Sequence, residues 1–260
     1  MKILNKIKNI TLPLVFWIFV WQVLSMIVDK EVLLPSPIGV IRKLTLLFLM
    51  IDFHKSVLMT LMRVVIGYLI GTILGSVLAV ISFYSKTVKM LISPLFSIVR
   101  ATPVASFIIL ALVWLGRDSI PTFTAILMVM PIVYANTITG MSSSDKNLLE
   151  VAKIYKFSGV KKLRLLYLPS AVPSFLSGAK TSLGLAWKSA VAAEVLCNLK
   201  TSIGGAIYSS KNYLETTELF AWTLCVIILS LILEKLISVT TSSVYIKYTI
   251  GEVAENAASN

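Results

Sequence analysis

Long apolar runs alternate along this chain with short polar intervals that are rich in lysine and arginine. An apolar run of about 20 residues is long enough to cross a bilayer as a helix. The predicted spans are residues 11–28, 56–83, 96–115, 122–140, 177–196 and 219–240. The pattern therefore predicts an all-α, polytopic membrane protein with six transmembrane helices in a single transmembrane domain, residues 1–260.

The start of the third span is not given directly by the pattern, because the apolar run from Met90 to Leu115 is longer than a bilayer requires. Counting about 20 residues back from Trp114 starts the span near Phe96. Proline inside a span frees a backbone carbonyl, which is tolerated where the helix is buried or lines a cavity. Pro103 is therefore a candidate pathway residue.

Composition supports a membrane protein, since 57% of the 260 residues are hydrophobic, 14% are charged and the mean hydropathy is +0.89. A soluble domain carries roughly a quarter charged residues. The net charge of +12 does not indicate nucleic-acid binding, because the basic residues concentrate in loops of one side, as membrane insertion requires. This asymmetry predicts both termini inside. The apolar run after Lys2, Lys6 and Lys8 is too long for a signal peptide and lacks a small-x-small cleavage site.

The longest basic interval, residues 141–175, is expected on the inner face and is itself patterned. A first stripe at helical spacing comprises Leu148, Leu149, Ala152 and Tyr155. A second stripe, ended by Pro169, comprises Val160, Leu163 and Tyr167. With Ser158-Gly159 as a break, the pattern predicts two short amphipathic helices that form a docking surface. Patterning alone leaves a second interpretation open, a solvated loop that only sets topology.

Three glycines, Gly67, Gly71 and Gly75, repeat every fourth residue in the second span. Glycines at this spacing make a flat stripe on which another helix packs closely. The spacing predicts a helix-packing surface and leaves open whether its partner belongs to the same chain.

Lys188 lies near the middle of the fifth span, where a lysine costs roughly 2.5–3.5 kcal/mol unless it is paired or wetted. Glu194 is about 9 Å further along the helix and about 120° around it, so the two cannot pair on one helix. Lys188 therefore either faces a water-filled pathway, where it would favour an anionic solute, or serves a structural role against backbone carbonyls or Glu194 of a dimer mate.

The chain offers no pattern for chemistry. Cys197 and Cys225 have no metal-ligand spacing, and His54 stands alone. The sequence G-x-x-x-x-G-K-[ST] does not occur, so no phosphate-binding loop is expected. We expect no catalytic residue, no metal site and no cofactor in this chain, and hence a transport subunit and not an enzyme.

Glu150, Ala152, Leu168 and Pro169 stand at the spacing of the Glu-Ala-Ala loop of binding-protein-dependent ABC importer permeases, and the chain resembles that family from Leu34 to about Leu233. Further similar segments are Leu34-Pro35-Ser36-Pro37, Arg100-Ala101-Thr102-Pro103, Trp114-Leu115-Gly116, Ala186-Trp187, Ala193-Glu194 and Ser202-Ile203-Gly204. The first of these resembles the nitrate, sulfonate and taurine branch. One departure is Lys156, which occupies the position of the family's glycine, while the nearest glycine is Gly159.

The resemblance implies a type I importer permease in a bacterial or archaeal plasma membrane. A second permease, expected to be an identical copy, would complete the pathway. ATPase subunits that bind ATP and Mg would dock inside, and a solute-binding protein outside. Implied coupling residues are Leu149, Glu150, Ala152, Lys153, Tyr155, Gly159, Leu168 and Pro169. Implied pathway residues are Arg100, Pro103, Lys188 and Glu194. The implied solute is small, such as nitrate, a sulfonate, taurine or a vitamin precursor.

Two other classes of function predict different features of the sequence. An ion-coupled secondary transporter would show inverted repeats and intramembrane carboxylates. Glu194 is the candidate carboxylate, and no internal repeat is visible in the sequence. A membrane-embedded enzyme would need a cluster of catalytic side chains, which the sequence does not offer.

Overall fold

The structure, a computed structural model, describes the backbone of residues 2–258 and the side chains of residues 11–242. The helices are α1 (Lys2–Val28), α2 (Pro37–Phe48), α3 (Ile51–Tyr84), α4 (Lys86–Ala101), α5 (Val104–Ala111), α6 (Ile120–Ser142), α7 (Lys146–Ile154), α8 (Gly159–Lys162), α9 (Leu168–Cys197), α10 (Ile203–Asn212) and α11 (Thr216–Ala258). A 3-10 turn, Arg117–Ser119, precedes α6, and a π-helical turn, Leu163–Tyr167, precedes α9. No strand occurs in the described backbone, which confirms the all-α class. The side chains of Lys2, Lys6 and Lys8 lie outside the described residues.

The chain forms two compact units. The first unit comprises residues 1–60 and 194–228, and the second comprises residues 61–193 and 229–260. Both units are therefore assembled from segments that are distant in sequence.

In the first unit, hydrogen bonds fix the turn that follows α1. Trp21 Nε1 donates to the Pro35 carbonyl at 3.1 Å, and Ser25 Oγ donates to the Leu34 carbonyl at 3.0 Å. Thr216, at the start of α11, donates from its Oγ1 to the carbonyl of Val32 at 2.7 Å. These bonds satisfy carbonyls in a segment whose prolines prevent helical pairing.

Helix α2 begins at Pro37, directly after Leu34-Pro35-Ser36. Ser36 caps it by accepting a hydrogen bond from Gly39 N at 3.1 Å, and Pro37 occupies its first turn. Lys43 pairs with Glu218 of α11 at 2.9 Å. The hydrogen bond to Glu218 raises the pKa of the Lys43 ammonium above its ordinary value, so this group stays charged at neutral pH.

In the second unit, α6 is the central helix and α3 packs against it through the glycine stripe. A Cβ built on Gly67 would lie 2.6 Å from Ala125 Cβ, and one on Gly71 would lie 2.8 Å from Val129 Cβ. A Cβ on Gly75 would lie 2.7 Å from a backbone carbonyl of α6. The helix that packs on the stripe therefore belongs to the same chain.

Helix α6 packs equally closely against α9. A Cβ on Gly140 would lie 2.7 Å from Ala171 Cα of α9, and a Cβ on Gly178 of α9 would lie 2.7 Å from Asn136 Cβ. Helix α4 adds an edge-to-face pair between Phe96 and Tyr134, whose ring centroids are 4.7 Å apart. Small residues at both helix contacts let the backbones approach closely without a cavity.

The predicted spans are reproduced in part. Within the described residues, four helices are long and apolar enough to cross a membrane, in the segments Thr11–Val28, Ile51–Tyr84, Arg117–Ser142 and Thr216–Ser242. The predicted third span, residues 96–115, is wrong as one helix, because the chain bends by 104° between α4 and α5. Pro103 cannot donate a hydrogen bond to the preceding turn, so α4 ends before it. The fifth predicted span lies within α9, which is long enough but more polar, and the count of six remains a prediction.

Candidate functional site

The basic loop of residues 141–175 carries the residues that the sequence predicts for docking, and its first helix is the predicted amphipathic one. Asp145 caps α7 by accepting a hydrogen bond from Asn147 N at 2.8 Å. The helix ends in a Schellman motif, in which Phe157 N donates to the Ala152 carbonyl at 2.9 Å and Lys156 N donates to the Lys153 carbonyl at 3.0 Å. This motif defines the turn that follows α7.

Lys156 lies in the left-handed region of that motif, with a φ of 52°. Glycine adopts this conformation without strain, whereas a residue with a Cβ does so at a cost. The position at which the resemblance expects a glycine thus forms a left-handed turn in this chain, although a lysine occupies it. The turn is at Lys156 and has not moved to Gly159.

The exposed apolar face of α7 differs from the predicted one. Ala152 is fully buried, with 0% of its surface exposed, so in this structure it cannot contact a partner. The apolar side chains that α7 presents outward are Leu148, Val151, Ile154 and Tyr155. Ile154 is 76% exposed. Of the predicted contact residues, Leu149 is half-buried, and Glu150, Lys153 and Tyr155 are exposed.

The second half of the loop also differs from prediction. Ser158 caps the short helix α8 by accepting a hydrogen bond from Lys161 N at 3.3 Å, and Gly159 has open space around it. The expectation that Pro169 ends this helix is wrong, because the chain continues through the π-helical turn into α9. A wider turn before Pro169 accommodates its missing N–H in the first turn of the new helix. Leu168 is exposed, and Pro169 is half-buried.

Three aromatic residues join this loop to the end of α3. The Tyr167 ring lies 4.7 Å from Phe83 and 6.3 Å from Tyr84, measured between ring centroids. The Tyr84 hydroxyl donates to the Gly159 carbonyl at 3.3 Å. These contacts connect the start of α8 and the end of the π-helical turn to the end of α3.

Glu194, an expected pathway residue, is instead enclosed in the first unit, with 0% of its surface exposed. The Thr60 hydroxyl donates to both carboxylate oxygens, at 3.0 and 2.9 Å. Gly204 N donates to Oε2 at 3.2 Å, and Ile203 N donates to Thr60 Oγ1 at 3.0 Å. The carboxylate therefore helps to satisfy the free N–H groups at the start of α10, where a negative charge is favourable.

The other expected pathway residues are exposed. Pro103 begins α5 at the 104° bend. Arg100 donates from its Nε to the Phe96 carbonyl at 3.3 Å. Lys188 is exposed on α9, and its ammonium has no hydrogen bond or ion pair among the described side chains. Residues 11–242 also contain no group of three or more histidine, cysteine or acidic side chains that could hold a metal ion.

Residues 67–240 match the family described as binding-protein-dependent transport system inner membrane component. Because this match covers more than half of the chain, the protein belongs to that family of ABC transporter permeases, and it is a multi-pass membrane protein.

Named relatives agree with this family. The chain is 28% identical over 217 residues to the putative aliphatic sulfonates transport permease protein SsuC of Bacillus subtilis, covering 82% of this chain and 78% of the relative. It is 30% identical over 199 residues to SsuC of Escherichia coli, covering 76% and 75%. It is 28% identical over 208 residues to the nitrate import permease protein NrtB of Synechococcus elongatus, covering 74% and 72%.

A solved structure described as an amino acid ABC transporter with histidines is similar to this fold, with a TM-score of 0.61. The match covers 74% of this chain and 91% of that chain at 16% sequence identity. At this identity the likeness shows the fold alone, and that fold is consistent with a type I permease.

Proposed function

We propose that this chain forms the translocation pathway of an ATP-driven importer for a small anionic solute. In this proposal two identical copies pair in the membrane, two ATPase subunits bind ATP and Mg and dock on the loop of residues 145–169, and a binding protein delivers solute outside. Both termini face the cytoplasm, where the basic loop lies. This chain itself performs no covalent chemistry.

The exposed apolar face of α7 carries the proposal. Three large apolar side chains of this nine-residue helix, together with Tyr155 at its C-cap, are exposed. Burying one such side chain contributes about 1.5–3 kcal/mol. The face lies in a strongly basic loop, which belongs on the cytoplasmic side of a membrane protein. A cytoplasmic protein is thus the expected partner, and the family supplies the ATPase as its identity.

The Ile154→Asp substitution tests this docking. It places a charge in the centre of the proposed contact, where burying an unpaired carboxylate is strongly unfavourable. When the tagged protein is purified from its own membranes in mild detergent, we expect an ATPase to co-purify with the parent and to be lost with the variant. Lys146→Asp puts a carboxylate at an exposed position on the other side of α7, about 140° around the helix from Val151, and should retain the ATPase.

Recovery of the same amount of ATPase with Ile154→Asp as with Lys146→Asp would contradict docking through this face. A parent protein that purifies without any ATPase would instead support the ion-coupled transporter. The experiment therefore separates an error in the docking face from an error in the class of function.

The solute class rests on Lys188 and on the relatives. An unpaired ammonium in mid-membrane is costly against lipid, and it is more favourable in a wet pathway that carries anions. The names of the relatives, sulfonate and nitrate permeases, also refer to anions. Lys188→Met should assemble normally and lose transport of ethanesulfonate or nitrate in reconstituted vesicles. Loss of assembly or of thermal stability would instead support a structural lysine, and unchanged transport would contradict both interpretations.

A further inference from the structure

Glu234 is an acidic residue within the predicted span of residues 219–240, in addition to Glu194 in the span of residues 177–196. It lies 18 residues after Thr216 in α11, inside the apolar segment Thr216–Ser242. At about 1.5 Å per residue this is roughly 27 Å along the helix. Its side chain is exposed on the subunit surface.

Two contacts fix the register between α9 and α11 at this level. Lys180 Nζ donates to Ser238 Oγ at 3.1 Å. A Cβ built on Gly184 would lie 3.3 Å from Glu234 Oε1. Gly184 is four residues after Lys180, whereas Glu234 is four residues before Ser238. The two helices are therefore antiparallel. The next step places Lys188 at the level of Ser230.

Glu234 therefore lies between two lysines. One helical turn, about 6 Å for four residues, separates its level from that of Lys180 on one side and of Lys188 on the other. All three side chains are exposed. No ion pair joins Glu234 to either lysine among the described side chains. The seam between α9 and α11, defined by Lys180, Glu234 and Lys188, therefore holds three separate charges.

Lys188 and Glu234 are exposed charges further inside predicted spans, which is unfavourable against lipid, and intramembrane charges mark water-filled paths or protein partners. The seam also has room for the carboxylate because residue 184 is glycine, and a larger side chain there would push Glu234 aside. The arrangement thus positions an acid beside two bases.

We infer that Lys180, Glu234 and Lys188 line the inner half of the solute pathway and that Glu234 is its tethered counter-anion. This inference rests on the proposed function. The carboxylate offsets the lysine charges, so an anion that has passed Lys188 is attracted weakly enough to leave toward the cytoplasm. Without Glu234 the two ammonium groups would hold the anion.

The inference is tested by the reactivity of a cysteine placed in the seam. Ser230→Cys puts a thiol at the level of Lys188, in full-length protein in membrane vesicles with the buried Cys197 and Cys225 replaced by alanine. The probes are two methanethiosulfonates of similar size, an anionic ethylsulfonate and a cationic ethyltrimethylammonium. Both reagents should react, because the seam is wet.

The Glu234→Gln substitution should then raise the rate at which the anionic reagent reacts with the cysteine and lower the rate for the cationic reagent. A unit charge about 7 Å away in a wet site changes each rate about three- to sevenfold, so their ratio should rise roughly tenfold or more. Glu234→Asp should keep the parent ratio. Ala192→Cys is a matched reporter two turns from the level of Glu234, one turn further than Ser230, and its ratio should shift less.

Two results overturn the inference. Reaction with neither reagent means that lipid or a protein partner covers the seam, and an unchanged ratio in Glu234→Gln means that Glu234 does not set its charge. If Ser230→Cys does not fold, the exposed Leu185→Cys on α9 reports on the same seam with the same expected shift. The assay needs neither ATPase nor transported solute, so its failure is distinct from a failure to co-purify an ATPase.

Discussion

The contact between α3 and α6 permits a quantitative prediction for the Gly71→Leu substitution. The new Cβ alone would lie 2.8 Å from Val129 Cβ and 3.1 Å from the Ile126 carbonyl. Favourable carbon–carbon contacts are about 3.5–4.0 Å long. The helices must therefore separate by about 0.7–1.2 Å before the rest of the leucine side chain is placed.

This separation also disturbs the neighbouring contacts at Gly67 and Gly75, since both have backbone carbonyls of α6 at 2.7 Å from a built Cβ. Overpacking a tight contact costs typically about 1–3 kcal/mol and sometimes more. Leucine adds three carbons beyond a Cβ that already conflicts, so we expect a loss of about 3 kcal/mol or more in the free energy of unfolding. At about 2–4 °C per kcal/mol, the Tm should fall by about 6–12 °C.

Melting of the detergent-solubilised protein, followed by size-exclusion chromatography after heating, measures this shift. Gly116→Leu is the matched control, because a Cβ there has no neighbour within 4 Å. We expect this control to melt within about 2 °C of the parent, as surface substitutions usually change stability by less than about 0.5 kcal/mol. Equal Tm values for the two leucine variants would show that α3 does not pack on α6 through the glycine stripe.

Two further predictions concern the ends of helices. Lys156→Gly should raise the Tm by a few degrees, because glycine relieves roughly 1 kcal/mol of left-handed strain, whereas Lys156→Ala keeps the Cβ and should not. Glu194→Gln should lower the stability by about 1–3 kcal/mol, because it weakens charge-assisted hydrogen bonds from Thr60 and Gly204 in a buried site. Glu150→Gln on the exposed surface of α7 is the control in the same melting assay and should leave the Tm unchanged.

The sequence predicts those elements whose signals are local. The start of α7 follows from Asp145, and its amphipathic pattern follows from apolar residues at helical spacing. The pattern cannot tell which side is covered, because Leu149 and Ala152 form one apolar edge while Val151 and Ile154 form another. Tertiary packing decides that Ala152 is the buried residue.

Features that depend on contacts between distant residues cannot be predicted from the sequence alone. Helix α10 starts where Glu194 and Thr60 supply acceptors, and Thr60 is 143 residues before Ile203. The break between α4 and α5 was marked by Pro103, but a proline inside a span predicts either a kink or a break. Glu234 stands out as a charge in a long apolar run, but the sequence does not show which residues of α9 lie beside it. The fold places Gly184 next to it.

The contacts of α6 in the second unit predict how a displacement of α7 would be passed to other helices of that unit. Helix α6 leads directly into the loop, and its last turn is in backbone contact with α9, since Gly140 leaves no room for a side chain against Ala171. Two helices that touch at the backbone cannot slide without a clash, so a force on α7 is expected to move α6 and α9 together. The π-helical turn between α8 and α9, attached to α3 through Tyr167, interrupts the regular α geometry of this path. A change in its hydrogen bonding would let α8 move relative to α9 while the α6–α9 contact is preserved.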